Sequence, residues 1–97
     1  MQAIFIAFDQ AHYEAIIDIL DKNSCRGFTS FGEIHGRGTK TGEPHYGSHA
    51  WPSLGNAILT IVDDTKVDSL LEKLKKLDDS KPRLGLRAFC WTVNKSI

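Results

Sequence analysis

Two stretches of strand length in this chain are apolar at almost every position, and they constrain its fold more than any other feature of the sequence. The first covers residues 3–8 (AIFIAF) and the second covers residues 57–62 (AILTIV). Successive side chains of a β-strand point to opposite faces of the sheet, so a stretch that is apolar at both parities needs apolar cover on both faces. We therefore expect the first stretch to be a central strand and the second to be a strand of the same kind.

Helical spacing accounts for two further segments. A helix is predicted over residues 10–21, with Asp9 as its N-terminal cap. Its apolar residues share one face: Tyr13, Ile16, Ile17 and Leu20. A second helix is predicted to begin after residues 63–65 and to end before Pro82. Its apolar residues also recur at helical spacing: Val67, Leu70, Leu71, Leu74 and Leu77.

Residue type predicts two more strands, over residues 28–35 and 86–93, so the elements run in the order βαββαβ. Two right-handed βαβ units of this order interleave into a four-stranded antiparallel sheet with both helices on one face. This is the ferredoxin-like sandwich of the α+β class. A chain of 97 residues can bury one core, and we expect residues 1–97 to form a single domain.

The sheet face away from the helices would be left apolar. The first and third strands are apolar at both parities, and the fourth strand carries Phe89 and Trp91 at one parity. A large exposed apolar patch usually marks an interface. We therefore expect a homo-oligomer packed through its sheets, with ligand pockets at the subunit seams.

Charge and cysteine content argue against several classes of function. Twelve basic residues balance twelve acidic ones, so we expect no binding to nucleic acid. The N-terminal stretch lacks the basic segment of a signal peptide and the length of a membrane span, so no membrane insertion is expected. The two cysteines, Cys25 and Cys90, are interpreted as reduced core residues, which favours a cytoplasmic location. No nucleophile has an adjacent base, and we do not expect an enzyme.

A polar stretch over residues 36–53 is punctuated by glycines and is predicted to be a loop. Within it Arg37 and Lys40 supply positive charge. They alternate with glycines whose backbone can approach a ligand closely: Gly36, Gly38 and Gly42. This composition is typical of an anion-binding loop. The alternative is that the glycines only bend a strand and that Arg37 is solvated.

The same stretch holds a candidate metal site. His45, His49 and Glu43 supply the imidazole and carboxylate ligands that divalent transition metals accept. An H-x3-H pair presents both rings on one face when it lies in a helix, but Pro44 and Gly47 interrupt this one. Metal binding is therefore an alternative to anion binding.

Three other features have structural explanations. Asp63 and Asp64 precede the second helix and are predicted to cap it. His12 is predicted to be an exposed residue of a first helical turn. Trp51 is predicted to anchor the base of the loop by apolar burial.

The start of this loop resembles the second strand and T-loop start of the PII-type nitrogen-regulatory proteins. The matching residues are Gly27-Phe28-Thr29, Phe31, Glu33-Ile34, Gly36-Arg37-Gly38 and Gly42. Residues 61–64 and 66–68 are similar to the family's third strand and second helix, so the resemblance spans residues 2–77. It implies a ferredoxin-like homotrimer with a flexible T-loop, here about residues 36–53. In the family this loop reports a small effector, usually an adenine nucleotide, to a protein partner.

Two departures separate the chain from the typical PII pattern. PII proteins carry a G-x-x-G-D-G-K segment before the last strand that helps to hold nucleotide phosphates. Residues 79–87 read DSKPRLGLR here, and Gly85 is the one match. A family glutamine that takes part in Mg-nucleotide and 2-oxoglutarate binding falls on Lys40. The resemblance is therefore to the PII-like proteins, a class within which ligands differ.

The resemblance implies a regulator of this kind, with an anionic effector held by the basic and glycine residues of the loop: Gly36, Arg37, Gly38, Lys40 and Gly42. An adenine nucleotide and a divalent metal ion are the candidate ligands, and the partner is an unidentified protein. Metal-tolerance proteins of the CutA type are similar in architecture. The alternative function is accordingly a divalent or heavy-metal-binding protein that uses His45 and His49.

Overall fold

The computed structural model describes residues 1–35 and 55–97. The chain forms four strands and two helices, and a short 3-10 turn precedes each helix. The elements are β1 (Gln2–Asp9), a 3-10 turn (Gln10–His12), α1 (Tyr13–Lys22), β2 (Thr29–Ile34), β3 (Gly55–Val62), a 3-10 turn (Asp64–Lys66), α2 (Val67–Ser80) and β4 (Leu86–Thr92). The predicted order βαββαβ is confirmed, with strand boundaries that differ by one or two residues.

The strands form one antiparallel sheet in the order β2-β3-β1-β4. The first strand is therefore central, as the apolar run at residues 3–8 predicts. It pairs with β3 on one side and with β4 on the other, so β2 and β4 are the edges. This arrangement is the ferredoxin-like α+β sandwich expected from the sequence.

Alternation along β1 places its larger aliphatic side chains on the side of the helices. Ile4 and Ile6 are fully buried there, and the helices supply the opposite wall of the core. The core side chains of the helices are Ile16 and Leu20 from α1, and Val67, Leu70 and Leu74 from α2. These are positions that helical spacing predicts.

The strand register defines the opposite face of the sheet, which we call the open face. Residues that pair directly across an antiparallel ladder lie on the same face. Three such rows contain the apolar residues of the open face. The first is Ala3 with Ile61 and Trp91, and the second is Phe5 with Leu59 and Phe89. In the third, Ala57 pairs with Ala7 on one side and with Phe31 on the other. The largest side chains of the open face are well exposed: Phe89 59%, Trp91 50%, Ile61 48% and Phe31 43%. Helices cover one face of β1 and leave these side chains accessible on the other.

The starts of the two helices correct one of the capping predictions. Asp9 caps as predicted, because its Oδ1 accepts a hydrogen bond from the Ala11 N–H at 2.8 Å. Asp63 makes no side-chain capping bond, and the Lys66 N–H is instead satisfied by the Asp63 carbonyl at 2.9 Å. The Asp64 carboxylate lies 3.1 Å from the N-terminal amino group of Met1. The prediction that Asp63 and Asp64 cap α2 is therefore wrong, because a 3-10 turn satisfies the backbone donor first.

The predicted exposure of His12 and the predicted burial of Cys90 are also wrong. His12 is 2% exposed, because it lies in the 3-10 turn before α1 and not in the first turn of an α-helix. Cys90 is exposed, although it shares the helix side of β4 with Leu86 and Ala88. Burial along this edge strand falls from Leu86 to Cys90, so the helices cover the beginning of the strand better than its end. Cys25 is buried, and both cysteines are free thiols as predicted.

No helix within residues 1–35 and 55–97 is long and apolar enough to cross a membrane.

A buried hydroxyl holds the connection between α1 and β2 against the sheet. Thr60 pairs with Ile4 on the helix side of β3 and is 1% exposed. Its Oγ1 donates a hydrogen bond of 2.7 Å to the carbonyl oxygen of Gly27. This bond satisfies the buried hydroxyl that β3 places between Ile58 and Val62 on its core side.

Replacing Thr60 with valine should lower the free energy of unfolding by about 1–3 kcal/mol, because the isosteric side chain leaves the Gly27 carbonyl without its donor. Thr92→Val is the matched control, since Thr92 is exposed at the end of β4. It should change the free energy by less than about 0.5 kcal/mol. Urea titrations at one protein concentration measure both values, because association adds to apparent stability. Equal losses in the two variants would contradict this role of the hydroxyl.

Candidate ligand site at one end of the sheet

The register brings several chain connections to a single end of the sheet, which we call the loop end. Asp9, the last residue of β1, pairs with Gly55, the first residue of β3. Ile34, the last residue of β2, pairs with Gly55 as well. Phe8 pairs with Leu86, where β4 begins. The segment 36–54 therefore leaves and re-enters the fold at the same end that receives the connection between α2 and β4.

A β-bulge shapes the exit of β2 at the loop end. The pairing of β2 with β3 shifts between Phe31 and Ile34, and Glu33 adopts a positive φ of 35°. The Glu33 N–H donates to the side-chain Oδ1 of Asn56 at 2.9 Å. An amide side chain thus replaces a carbonyl of the regular ladder, as expected where a bulge interrupts pairing.

Gly55 allows the returning strand to pass close to this bulge. A Cβ atom at Gly55 would lie 3.1 Å from the carbonyl oxygen of Ile34, which is closer than most Cβ contacts. The backbones at the two ends of segment 36–54 are therefore held together at its base. This fixes where the segment leaves the sheet.

The connection between α2 and β4 forms a tight turn with two exposed cations. The Leu84 N–H donates to the Lys81 carbonyl at 3.1 Å, and Gly85 follows with φ 78°. Lys81 and Arg83 are both exposed. An open depression of about 490 Å³ lies against the turn, lined by Lys81, Pro82, Arg83 and Leu84. Positive charge beside an apolar floor suits a ligand that carries both an anionic group and a flat apolar one.

A buried histidine lies behind this connection. His12 is almost fully buried, and its Nε2 atom has no hydrogen-bond partner. Burial lowers its pKa from the ordinary value, with smaller effects from the charges of Asp9, Lys81 and Asp78. Lys81 therefore acts on His12 while its side chain borders the depression.

The loop residues predicted as a binding site lie outside the described residues. This holds for the anion site and for the metal site: Gly36, Arg37, Gly38, Lys40, Gly42, Glu43, His45 and His49. The same is true of Trp51. The described parts of the chain, up to residue 35 and from residue 55, contain no group of three metal-ligating side chains. Both site predictions therefore stay predictions.

Sequence reasoning missed Lys81 and Arg83 as site residues. It treated their segment as a departure from a glycine-rich phosphate loop and retained Gly85 alone. The signal was two cations around a proline, two residues before a glycine, at the end of a helix. The register places this turn at the same end of the sheet as the ends of segment 36–54, with β1 between the start of β4 and the start of β3.

No protein-family model matches the chain, and no curated protein matches it in sequence. Solved structures do match. CPII, a nitrogen regulatory PII-like protein from Thiomonas intermedia K12 bound to ADP, AMP and bicarbonate, has a TM-score of 0.76 at 22% identity. The match covers 93% of this chain and 82% of that one.

Two further structures agree with this result. The apo form of CPII has a TM-score of 0.68 at 20% identity, covering 95% of this chain and 89% of that one. A protein from Thermus thermophilus, provisionally described as a PII-like signalling protein, has a TM-score of 0.64 at 16% identity. It matches 93% of this chain over 83% of its own length. The chain therefore has the fold of PII-like proteins, and the resemblance found in the sequence is confirmed at the level of fold.

Replacing Gly85 with alanine should destabilise the protein by about 1–2 kcal/mol, since a φ of 78° is strained for a residue with a Cβ atom. Gly27→Ala is the matched control, because a Cβ atom at Gly27 would meet nothing within 4 Å. Gly27 also lacks the positive φ. Thermal or urea unfolding of both variants measures the difference. The strain assigned to Gly85 would be wrong if its variant were as stable as the Gly27 variant.

Proposed function

We propose that this protein is a PII-like regulator that binds a small anionic effector at the loop end of its sheet. The single observation that carries the proposal is the meeting of two features at one place. The cationic turn Lys81–Leu84 and both ends of segment 36–54 lie at the same end of the sheet. We therefore propose that a ligand on the turn also contacts the segment in which the sequence places Arg37 and Lys40.

The proposed assembly is a homotrimer packed through the open face. Complete burial of a large apolar side chain contributes about 1.5–3 kcal/mol, and the open face repeats several of them in every copy. Residue identity along the rows supports this packing, because the rows Ala3-Ile61-Trp91 and Phe5-Leu59-Phe89 are apolar on all three strands that they cross. The three-fold order rests on the sequence resemblance to PII-type proteins.

The proposed effector is an adenine nucleotide, with bicarbonate as a second anion. CPII, which shares the fold, binds ADP, AMP and bicarbonate. In this chain the Lys81 and Arg83 side chains would hold the phosphates, and the apolar surface of Pro82 and Leu84 would lie against the base. This turn replaces the glycine-rich phosphate segment that the sequence lacks. Side-chain cations would thus take the place of backbone N–H groups.

The proposed output is a conformation of segment 36–54 that a partner protein recognises. Both ends of the segment are held at the loop end by the bulge at Glu33 and the close approach at Gly55. A bound anion would add contacts to Arg37 and Lys40 and so favour one arrangement between these fixed ends. The role is regulatory and not catalytic, and two free thiols favour the cytoplasm.

A charge on the open face should dissociate the assembly. Phe89→Asp places an unpartnered carboxylate in the proposed interface, yet it should leave the monomer folded because Phe89 is well exposed. Cys90→Asp is the matched control, since the neighbouring residue is exposed on the other side of the same strand. Sedimentation velocity at micromolar concentration should show a trimer for wild type and the control, and monomer for Phe89→Asp. A wild-type monomer would overturn the assembly.

Loss of a cation from the turn should weaken nucleotide binding. Lys81→Ala and Arg83→Ala should each raise the Kd for ADP about tenfold or more, because a charged hydrogen bond contributes about 1.5–3 kcal/mol. Lys22→Ala is the matched control. It removes the same charge from the far end of α1, where Lys22 is exposed and paired with Asp18. Calorimetric titration with ADP, with and without bicarbonate, gives these constants.

The same titrations decide between the two candidate functions. Arg37→Ala and Lys40→Ala should also weaken ADP binding if segment 36–54 completes the site. Equal affinities in wild type and in all the cation variants would contradict the anion site. Zinc binding that is lost in His45→Ala and His49→Ala, together with no binding of ADP, would favour the metal-binding alternative.

A further inference from the structure

His12 is the one residue within 1–35 and 55–97 whose side chain has a buried polar atom with no hydrogen-bond partner. It is 2% exposed and lies in the turn that joins β1 to α1 at the loop end. Native proteins rarely leave a buried polar side-chain atom unpaired, so each such group calls for an explanation. A phenylalanine or leucine would fill the same space without this cost.

The groups around His12 connect it to the proposed anion site. Asp9 faces it from the end of β1, and Asp78 and Lys81 face it from the end of α2 and the turn beyond it. Asp9 is itself buried, and its Oδ1 already accepts from the Ala11 N–H. Lys81 begins the turn that lines the depression. The loop end therefore contains a buried titratable ring within the electrostatic reach of a ligand-binding cation.

We propose that His12 is a pH-dependent latch: the neutral ring keeps the end of α2 and the turn Lys81–Leu84 in place, and its protonation opens this contact and releases the bound anion. The effect on the anion rests on the function proposed above. The opening itself does not, because it depends on the described residues alone.

Protonation is unfavourable while the ring is buried. An imidazolium must donate from both nitrogen atoms, and the buried Nε2 has no acceptor. A buried charge without a hydrogen-bond partner costs more than a short movement that brings the ring to solvent. The opened form binds the proton with the ordinary pKa of histidine, about 6.5, whereas burial lowers the pKa of the closed form.

The direction of the pH effect follows from this difference. Above about pH 6.5 the ring is neutral in both forms and the closed form is favoured. As the pH falls below that value, the opened form takes up a proton first. The ratio of opened to closed molecules then rises about tenfold for each pH unit, until the pH reaches the lowered pKa of the closed form.

Two consequences of protonation act on the anion in opposite directions. The new charge attracts an anion, but in the opened form the ring is solvated and its field is screened over about 8–10 Å. In the proposed opening Lys81 would also move relative to Arg83, and a misplaced cation would lose its hydrogen bond to the ligand. The loss of geometry is the larger effect, so acidification weakens binding.

Hydrogen exchange on the ligand-free protein tests the latch directly. After correction for the intrinsic rate, amides of residues 81–86 should exchange about fivefold faster at pH 5.5 than at pH 6.5 in wild type. His12→Phe, which fills the space and cannot titrate, should abolish the change. His12→Gln is a second non-titrating variant in case the first does not fold. His35→Gln is the matched control, an exposed histidine at the same end of the sheet, and should keep the wild-type response.

An NMR titration of wild type needs no variant and gives a second measurement. The His12 ring signal should titrate below the ordinary pKa of histidine, about 6.5, with its shift change matching the exchange of residues 81–86. The latch would be overturned by an ordinary titration of His12, or by pH-independent exchange of residues 81–86. It would equally be overturned by the same pH dependence in His12→Phe as in wild type.

Calorimetric titration with ADP between pH 7.5 and 5.5 separates the latch from the proposed function. A phosphate group itself titrates near pH 6, so the comparison is between wild type and His12→Phe. Affinity should fall several-fold more steeply in wild type. If ADP binds with equal pH dependence in both proteins, the link to the anion is wrong. If ADP binds to neither protein while exchange still depends on His12, the latch stands and the nucleotide site is wrong.

Discussion

The structure depends on the alternation of side chains along two adjacent apolar strands, β1 and β3. Because they pair in register, their buried aliphatic side chains, such as Ile4, Ile6 and Ile58, lie together on the helix side, and the rows between are apolar on the open face. The two helices can cover one of these faces. The association proposed above would remove the large aromatic side chains of the other face from water, so that assembly and fold would follow from the same pattern.

The same pairing determines which chain connections lie together at the loop end. In an antiparallel sheet of this order, the exit of β2, the start of β3 and the start of β4 lie at one end. A bulge, a close glycine contact and a turn with a positive φ are all found there. Irregular backbone of this kind is common beside binding sites, where paired strands provide a rigid support.

Predictions from local periodicity were wrong where the burial of a residue depends on contacts with residues that are distant in the chain. His12 fits an exposed position if the helix begins at residue 10 with 3.6 residues per turn. A 3-10 turn has three residues per turn, which rotates His12 toward the interior. Cys90 has the parity of a core residue, but the helices do not extend over that end of the edge strand. In the sequence the cations Lys81 and Arg83 are a departure from a motif, whereas the register places them at the same end of the sheet as the ends of segment 36–54.

The sequence by itself determined the order of strands and helices, the core positions within them and the apolar character of both sheet faces. Those properties follow from the periodicity of neighbouring residues, which is a local quantity. The tertiary structure decided that His12 is buried within reach of the charges of Asp9, Asp78 and Lys81, and that the cationic turn lies at the same end of the sheet as the ends of segment 36–54. These are relations between residues far apart in the chain. They depend on strand register and on the exact turn before each helix, and no local periodicity encodes either.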